Sequence, residues 1–448
     1  MPAHPRCSHM RLLYSLLLTF IALLLLPYFF YQALVNRKYL GNFRERLGLR
    51  LPEMPAGGRP TIWLHAVSVG ETLAARPLCR AIRAGFPRAR LVVTTTTMTG
   101  QAVAHAQVPE ADAVCYFPFD WSFSVRRLLD AVRPDLVILM ESELWLNFLS
   151  ECSARKIPVL VANGRISNRS FPRSLRFRFF VRRLYGQVTR FGMQSQVDAE
   201  RAVALGAEPE NVTVTGNIKY DLGEVGPKGE ELETARELGR SLALSVAPLL
   251  VAGSTHAGEE EIVLEAFRRL RGREGLSHVR LLIAPRHPER FAEVERLIAA
   301  TGLAWVKRSA APGRERSLSA AVILLDSIGE LATVYEKAAA VLIGGSLAPI
   351  GGHNILEPAW YGRPIVVGPH MENFREMTAE FLCREALWQL TLGTPADFIR
   401  QLQQTWEALL RDLPRANEMG RRARETIESN RGAAERTQAL IEELLAGR

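Results

Sequence analysis

Acidic side chains and a lysine stand where apolar runs in the first half of the chain predict strands to end. Glu71 closes the segment HAVSVGE, and Glu141 and Glu143 follow the run DLVILM. A carboxylate at a strand end can accept a proton from a substrate hydroxyl within hydrogen-bond reach. A helix N-terminus lowers the pKa of such a carboxylate, so burial or the neighbouring acids must compensate at Glu71. The alternatives are helix capping for Glu71 and a solvated loop for the pair.

A glycine-rich segment in the second half, GGSLAPIGGHNILEPAWYGRPIVVGP over residues 344–369, predicts a strand, a loop, a helix and a second strand. Its glycines allow the backbone to approach an anion closely. We expect His353 and Asn354 to open a helix whose N-terminus favours negative charge. Glu357 could then accept hydrogen bonds from a ribose or merely complement the helix dipole. A tight structural turn is the alternative for the whole segment.

Four further loops place polar groups after predicted strands. They are GNIK ending at Lys219, GSTHAGEEE from Gly253, APRHPER from Ala284 and DSIGEL from Asp326. Arg286 and His287 are placed to bind a phosphate or a base edge, since arginine is a natural bidentate partner of phosphate. Lys219 could meet a leaving phosphate or lie in solvent. Together with the glycine-rich loop, these segments predict a nucleotide site.

Residues 163–185, NGRISNRSFPRSLRFRFFVRRLY, interleave arginines with aromatic residues. This mixture suits a surface that meets phosphates and acyl chains together. Single-stranded nucleic acid also favours such a mixture, but an adjacent membrane anchor favours lipid. A solvated helix whose arginine stems cover the core edge is the remaining alternative.

An uncharged apolar run covers residues 12–35. At about 1.5 Å per residue, a helix of this length crosses a hydrocarbon core of about 30 Å. We expect a retained anchor, with a buried core helix as the alternative. More positive residues follow the run than precede it, which places the rest of the chain in the cytoplasm.

Composition limits the kinds of partner and scaffold that the chain can have. The chain has 448 residues and a formal net charge of +9, which implies acidic partners: nucleic acid, anionic lipid or phosphorylated substrates. Its five cysteines show no CxxC spacing, which makes a disulfide scaffold or a structural zinc site improbable.

Short apolar runs alternate with helical patterns along the whole chain. This alternation predicts an α/β protein with two doubly wound parallel sheets. We place an anchor at residues 1–36, a first domain at 37–222, a connection at 223–247 and a second domain with terminal helices at 248–448.

Eight segments follow the apolar run in order: HAVSVGE, ESELWLN, NGRIS, GNIK, GSTHAGEEE, APRHPER, DSIGEL and GGHNILEPA. Together they closely resemble the 3-deoxy-D-manno-octulosonic acid (Kdo) transferases of lipopolysaccharide synthesis, from the anchor to the final helices. The resemblance implies a GT-B glycosyltransferase with two Rossmann-like domains and no cofactor. It implies a CMP-Kdo donor held mainly by the second domain. It further implies that a lipid A precursor, the tetraacyl disaccharide bisphosphate lipid IVA, approaches the first domain at the cytoplasmic face of the inner membrane, and that no nucleic acid is a partner.

The resemblance also implies roles for individual residues. Glu71 is the general base on the acceptor hydroxyl, and Glu141 and Lys219 stabilise the transition state. The expected CMP contacts are Pro285, Arg286, Ile328, Gly329, Glu330, Asn354, Ile355, Leu356 and Glu357. We assign acceptor binding to Arg165, Arg169 and Arg173. The sequence has no Asp-x-Asp pair of the kind many glycosyltransferases use to hold a metal, which agrees with a metal-independent, inverting reaction.

Two departures from the family pattern concern loop geometry. Leu146 and Ile355 stand where the family often has proline. Two competing interpretations stay open: a GT-B enzyme or sugar-nucleotide epimerase with other substrates, and a silent membrane-bound scaffold that binds anions. The number of Kdo units transferred, the acyl pattern of the acceptor and the oligomeric state are also left open by the sequence.

Overall fold

A computed structural model describes residues 11–25, 40–55, 57, 59–223, 237–310 and 314–447. The chain divides into two units. Unit 1 comprises Met1–Leu222 and Asn430–Arg448, and unit 2 comprises Gly223–Ser429.

Unit 1 is built on a parallel sheet of seven strands in the order β3-β2-β1-β4-β5-β6-β7. The strands are β1 (Thr61–His65), β2 (Arg90–Thr95), β3 (Ala113–Tyr116), β4 (Leu136–Met140), β5 (Val159–Gly164), β6 (Arg190–Met193) and β7 (Val212–Val214). Every residue of β1, β4 and β5 is buried, because helices cover both faces of the sheet. All seven predicted strands of the first half are confirmed.

The helices of unit 1 follow the strands in alternation. They are α1 (residues 11–25), α2 (Leu40–Arg46), α3 (Val69–Gly85), α4 (Met98–Gln107), α5 (Ser122–Val132), α6 (Leu146–Ala154), α7 (Ser170–Arg176), α8 (Arg178–Tyr185) and α9 (Gln196–Leu205). Ser68 caps α3, where its hydroxyl accepts the backbone N–H of Glu71.

Unit 2 is a second parallel sheet of seven strands, in the order β10-β11-β9-β8-β12-β13-β14. The strands are β8 (Leu249–Thr255), β9 (Arg280–Pro285), β10 (Trp305–Lys307), β11 (Val322–Leu324), β12 (Ala338–Ile343), β13 (Ile365–Val367) and β14 (Trp388–Gln389). The sequence predicted five of them. It missed β10 and β14, which form the two edges of the sheet and are only three and two residues long. Most residues of β10 and β14 are only partly buried, so these segments lack the continuous apolar run that marks the short strands β11 and β13.

The helices of unit 2 are α10 (residues 237–241), α11 (Glu259–Arg271), α12 (Phe291–Ala300), α13 (Arg314–Ser319), α14 (Leu331–Tyr335), α15 (Leu356–Trp360), α16 (Arg375–Cys383), α17 (Pro395–Arg411) and α18 (Leu413–Asn430). The prediction of two parallel-sheet α/β domains is confirmed.

The domain boundaries need two corrections. The last helix, α19 (Ala433–Ala446), belongs to unit 1, where it packs against α3 and where Asp221 accepts the backbone N–H groups of Gly432 and Ala434 at 2.7 Å each. The second domain therefore does not extend to residue 448. Part of the predicted connection also belongs to unit 2, because Leu242 is buried and its carbonyl accepts the Arg280 guanidinium at 3.3 Å. Residues 224–236 of that connection lie outside the described residues.

The predicted anchor is described only in part, since residues 26–39 lie outside the described residues. In the described part of the chain, no helix combines the length and apolar character needed to span a bilayer. One side of α1 packs against the rest of unit 1. The Ser15 hydroxyl accepts a hydrogen bond from the side-chain amide of Asn147 at 3.0 Å, and the Thr19 hydroxyl accepts one from the indole N–H of Trp121 at 3.1 Å. Leucines on its other side, such as Leu13 and Leu16, are exposed.

Candidate functional site

The carboxyl edge of the unit 1 sheet brings together the acidic residues that the sequence singled out. Strands β1, β4 and β5 are neighbours in this sheet. Glu71 lies in the first turn of the helix after β1, and Glu141 directly follows β4. Because parallel strands end at one edge, these side chains come close together.

Glu71 is partly buried, and its carboxylate accepts the backbone N–H of Val67 at 2.9 Å. Burial raises the pKa of Glu71 to about 7, the hydrogen bond from Val67 opposes this rise, and the negative charges of Glu141 and Glu143 add to it. Lys219 has a smaller, lowering effect on this pKa. Burial and like charges therefore outweigh the helix N-terminus that counts against a base at this position. The capping hydrogen bond is also present, so Glu71 caps the chain before α3 and keeps a raised pKa.

Glu143 shares this environment. Burial raises its pKa, and the neighbouring charge of Glu141 raises it further. The pair therefore does not behave as a solvated loop. Glu141 and Glu143 lie in a partly buried site, where their negative charges raise the pKa of Glu71.

Glu141 and Lys219 form an ion pair of 3.4 Å between the carboxylate and Nζ, with about a quarter of each side chain exposed. Lys219 lies in a short 3-10 helix, Ile218–Gly223, after β7. The structure therefore unites Glu71, Glu141 and Lys219, the three predicted catalytic residues, in one cluster. Their roles in a reaction stay a prediction.

Asn163 holds this cluster together, and the sequence analysis did not single it out. It is fully buried at the end of β5, and its side-chain oxygen accepts the backbone N–H of Ile218 at 3.0 Å, next to Lys219. Glu141 and Asn163 both have left-handed backbones, with φ of 58° and 56°. Asparagine tolerates this conformation better than most residues, so an Asn-Gly pair at the end of a buried strand was the available signal.

In unit 2, arginine and histidine side chains gather at the carboxyl ends of β8, β9 and β12. Pro285 ends β9 and is buried, whereas Arg286 and His287 follow it and are exposed. The Nε2 atoms of His256 and His353 are 2.7 Å apart, and the His287 ring stands edge-on to His256 with centroids 5.2 Å apart. The sequence predicted Arg286 for this site but not the meeting of three histidines, because they come from three separate loops.

The glycine-rich loop after β12 is fixed by a buried carboxylate. Glu259 accepts the backbone N–H groups of Gly345, Leu347 and Ala348 at 2.7, 2.8 and 3.2 Å, and that of His256 at 2.9 Å. A Cβ on Gly344 would lie 2.2 Å from the carbonyl oxygen of Ser254, so only glycine allows β8 and β12 to end this close together.

The helix after this loop starts later than predicted. His353 and Asn354 do not open it, because α15 begins at Leu356 and has only five residues. The side-chain oxygen of Asn354 accepts the N–H of Leu356 at 3.0 Å and so turns the chain into the helix. Ile355 and Leu356 are buried, so only their backbone groups are available for a nucleotide.

Glu357 faces the same region as Arg286. Burial raises the pKa of Glu357, whereas a hydrogen bond from Asn354 at 3.2 Å and the positive charge of Arg286 oppose the rise. A partly buried carboxylate near an arginine is chemically suited to accept hydrogen bonds from ribose hydroxyls. Nucleotide binding by these residues stays a prediction.

The DSIGEL loop follows β11, which pairs with β9. Ile328 is 79% exposed, and Gly329 has a φ of 89°. Glu330 is bound by the Arg308 guanidinium at 3.0 Å and by the Ser327 hydroxyl. Ile328 is therefore free of the core, and its predicted contact with CMP remains untested.

The predicted acceptor arginines lie on the surface of unit 1. Arg165 follows β5 and is partly exposed, whereas Arg169, just before α7, and Arg173, in the middle of α7, are exposed. The exposed rings of Phe177 and Phe179 follow them in the chain. This segment therefore presents positive charge and apolar area together.

Metal binding was not predicted. Within the described part of the chain, no group of three or more His, Cys, Asp or Glu side chains could hold a metal ion.

Three comparisons with known proteins bear on this site. A family model described as "3-Deoxy-D-manno-octulosonic-acid transferase (kdotransferase)" matches residues 41–222. A protein of Haemophilus influenzae named 3-deoxy-D-manno-octulosonic acid transferase is 34% identical over 407 residues, which cover 90% of this chain and 92% of the relative. A protein of the same name from Bordetella pertussis is 31% identical over 89% of this chain and 91% of its own length.

Among solved structures, UDP-GlcNAc 2-epimerase from Neisseria meningitidis bound to UDP-GlcNAc has a TM-score of 0.55 at 12% identity, over 86% of this chain and 100% of that one. At this identity the likeness concerns the fold alone, and it agrees with two Rossmann-like parallel-sheet domains. The sequence relatives match along nearly their whole length. The chain therefore belongs to the 3-deoxy-D-manno-octulosonic acid transferase family and is a glycosyltransferase.

Proposed function

We propose that this protein transfers Kdo from CMP-Kdo to a hydroxyl of a lipid A precursor, the tetraacyl disaccharide bisphosphate, in lipopolysaccharide synthesis. Family membership supports the transfer of Kdo. One observation carries the mechanism: the partly buried Glu71 has a pKa near 7 and lies beside Glu141 and Lys219. A base with a pKa near the working pH combines availability with proton affinity.

In the proposed step, the Glu71 carboxylate accepts the proton of the acceptor hydroxyl. The freed oxygen electron pair forms a bond to the anomeric carbon of Kdo, and the bond from that carbon to the phosphate oxygen breaks. CMP departs with that electron pair. Attack on the face opposite CMP inverts the configuration, and the step uses no metal ion.

Lys219 and Glu141 have complementary parts in this step. Their 3.4 Å ion pair holds the Lys219 ammonium group at the edge where Glu71 lies. A fixed positive charge stabilises negative charge that develops as the leaving group departs, and a fixed carboxylate stabilises positive charge on the sugar ring. The left-handed backbone of Glu141 and the Asn163 bond to Ile218 keep both groups in place.

The donor is assigned to unit 2. Arg286 provides the charge for the phosphate, and Asn354 and Glu357 provide polar groups for the nucleoside. Glu259 keeps the glycine-rich loop in one conformation through three backbone hydrogen bonds, and a fourth ties it to His256 in the loop after β8. A loop that is ordered before the donor arrives lowers the entropy cost of binding it.

The acceptor is assigned to unit 1, near the inner membrane. Arg165, Arg169 and Arg173 would bind its phosphates, and the exposed leucines of α1 with Phe177 and Phe179 would face the lipid. Amphipathic surfaces of this kind bind bilayers through apolar contact and attraction to anionic headgroups. We place the protein at the cytoplasmic face of the inner membrane, held by its N-terminal segment.

A transfer assay tests this function. The detergent-purified full chain is incubated with a CMP-Kdo supply and the tetraacyl disaccharide bisphosphate, and the mass of the lipid is measured. A gain of one or more Kdo residues is expected, and its size also gives the number of units added. An unchanged lipid mass, from folded protein that binds CMP, would contradict the assigned acceptor.

A further inference from the structure

Two histidines of unit 2 share a hydrogen bond through their ring nitrogens. The Nε2 atoms of His256 and His353 are 2.7 Å apart, and the rings are nearly parallel at 10° with centroids 5.0 Å apart. A neutral imidazole has one donor and one acceptor nitrogen, so one ring must donate to the other. The pair therefore holds one proton between the two facing nitrogens.

The surrounding backbone is built around this pair. A Cβ on Gly345 would lie 3.1 Å from two atoms of the His353 ring and 3.5 Å from the His256 ring. The N–H of Gly345 and the N–H of His256 both bind the same oxygen of the buried Glu259 carboxylate, at 2.7 and 2.9 Å. The close approach of the rings is thus fixed from both strand ends.

The charged groups around the pair are mainly positive. His256 interacts with His287, Arg286, Arg290 and the Glu260 carboxylate, and His353 interacts with Arg286 and His287. Glu260 is already engaged, since it accepts the Arg290 guanidinium at 2.6 and 3.2 Å. Burial lowers the pKa of His353 to about 4, with His256 and Arg286 adding to the effect, and burial also lowers the pKa of His256. Without a ligand, both rings are neutral near pH 7.

An anion bound next to His256 and His353 would favour the protonated form of the pair. Its negative charge would offset Arg286 and favour an imidazolium form, as a nearby opposite charge does for any ionisable group. The facing nitrogens would then share the added charge, and the second ring nitrogens would be free to donate to the anion.

We propose that His256 and His353, with Arg286, form an oxyanion subsite that takes up one proton from solvent when the anion binds. This inference rests on the proposed function, in which the oxyanion is either the phosphate of CMP or the carboxylate of the sugar. The histidine pair is thus a charge-adjustable part of the donor site, neutral when empty and cationic when occupied.

Calorimetry in buffers of different ionisation enthalpy tests the proposal. The full chain in detergent is titrated with CMP, cytidine, inorganic phosphate or free Kdo near pH 7. We expect CMP or Kdo to bind with net proton uptake, and cytidine to bind without it. Uptake with CMP and phosphate would assign the subsite to the phosphate, and uptake with Kdo would assign it to the carboxylate.

Substitution of each histidine tests whether the proton taken up on binding resides on this pair. His256→Gln and His353→Gln should each abolish the uptake and weaken binding of the assigned anion about tenfold near pH 7. In the unaltered protein, the affinity should fall by up to about tenfold per unit as the pH rises toward 8, as linkage to one proton requires. The exposed His278 of the same unit serves as the control, and His278→Gln should keep both properties.

Two results would count against different claims. CMP and Kdo binding with no proton uptake, or uptake undiminished in both glutamine variants, would overturn the subsite. Failure of the folded full chain to bind CMP at any pH would instead contradict the proposed function.

Discussion

The carboxyl edges of the two sheets differ in their ionisable groups, although both contain carboxylates, Glu357 among those of unit 2. In unit 1 the edge holds Glu71, Glu141 and Glu143 with one lysine, and burial raises the pKa of Glu71 to about 7. In unit 2 the edge holds Arg286 and three histidines, and burial lowers the pKa of His353 to about 4. The same physical cause, loss of water, keeps a carboxylate ready to hold a proton in one unit and leaves imidazoles neutral in the other.

The comparison shows where function is encoded in this fold. Both sheets are parallel, seven-stranded and apolar, and neither strand pattern distinguishes a base from an anion site. The difference lies in the first residues after each strand. Unit 1 therefore has the chemistry for accepting a proton, and unit 2 has the chemistry for binding an anion.

The largest expected effect comes from removing the base. Glu71→Gln should lower the transfer rate at least about a thousandfold, because the amide cannot accept the hydroxyl proton. CMP binding by unit 2 should be unchanged. The exposed Glu53 gives a matched control, and Glu53→Gln should transfer normally. Near-normal turnover by the Glu71 variant would refute the base assignment.

Removing the positive charge of unit 1 should have a smaller effect. Lys219→Met should lower the rate about a hundredfold, as loss of one charge-stabilising group typically does. It should also move the pH dependence of the rate to higher pH, because Lys219 lowers the pKa of Glu71. Lys219→Arg keeps the charge and should restore part of the rate. If Met and Arg variants behave alike, the charge has no role.

The smallest expected effect concerns the support of the unit 2 loop. Glu259→Gln replaces one of two carboxylate oxygens that each accept two backbone N–H groups, so two donors lose their partner. Unit 2 should lose about 1–3 kcal/mol of stability, seen as a lower Tm. CMP affinity should fall, while the pH dependence of transfer at saturating donor should not change. Glu261→Gln, at an exposed position of the same helix, controls for lost charge.

The sequence predicted the two sheets, the seven strands of unit 1 and the neighbourhood of Glu71 with Glu141 and Glu143, whereas the part of Lys219 was implied only by the family resemblance. These depend on long buried runs and on the rule that parallel strands end at one edge. It did not predict the edge strands β10 and β14, the late start of α15 or the return of α19 to unit 1. The return of α19 depends on contacts between distant residues, since Asp221 binds its start. The late start of α15 instead follows a local bond from the N–H of Leu356 to the side chain of Asn354.

Dependence on residues distant in the sequence also explains which site residues the sequence did not predict. Asn163 and the pair His256 and His353 acquire their roles from partners in other loops, at sequence separations of 55 and 97 residues. No local pattern records such a pairing. The turn at the glycine-rich loop, by contrast, could be predicted, since the close approach of Gly344 to the backbone of Ser254 requires glycine itself. Nucleotide binding by this loop stays a prediction.

The most direct test of the account is the pH dependence of kcat/KM for the lipid acceptor at saturating CMP-Kdo, which removes the contribution of donor binding. Below about pH 7, Glu71 holds a proton and cannot accept another, so the rate should fall about tenfold per unit on the acid side. The plot of log kcat/KM against pH should therefore bend once, near pH 7, and fall on the acid side. A rate that stays constant down to about pH 5 would contradict the partly buried Glu71 carboxylate as the base.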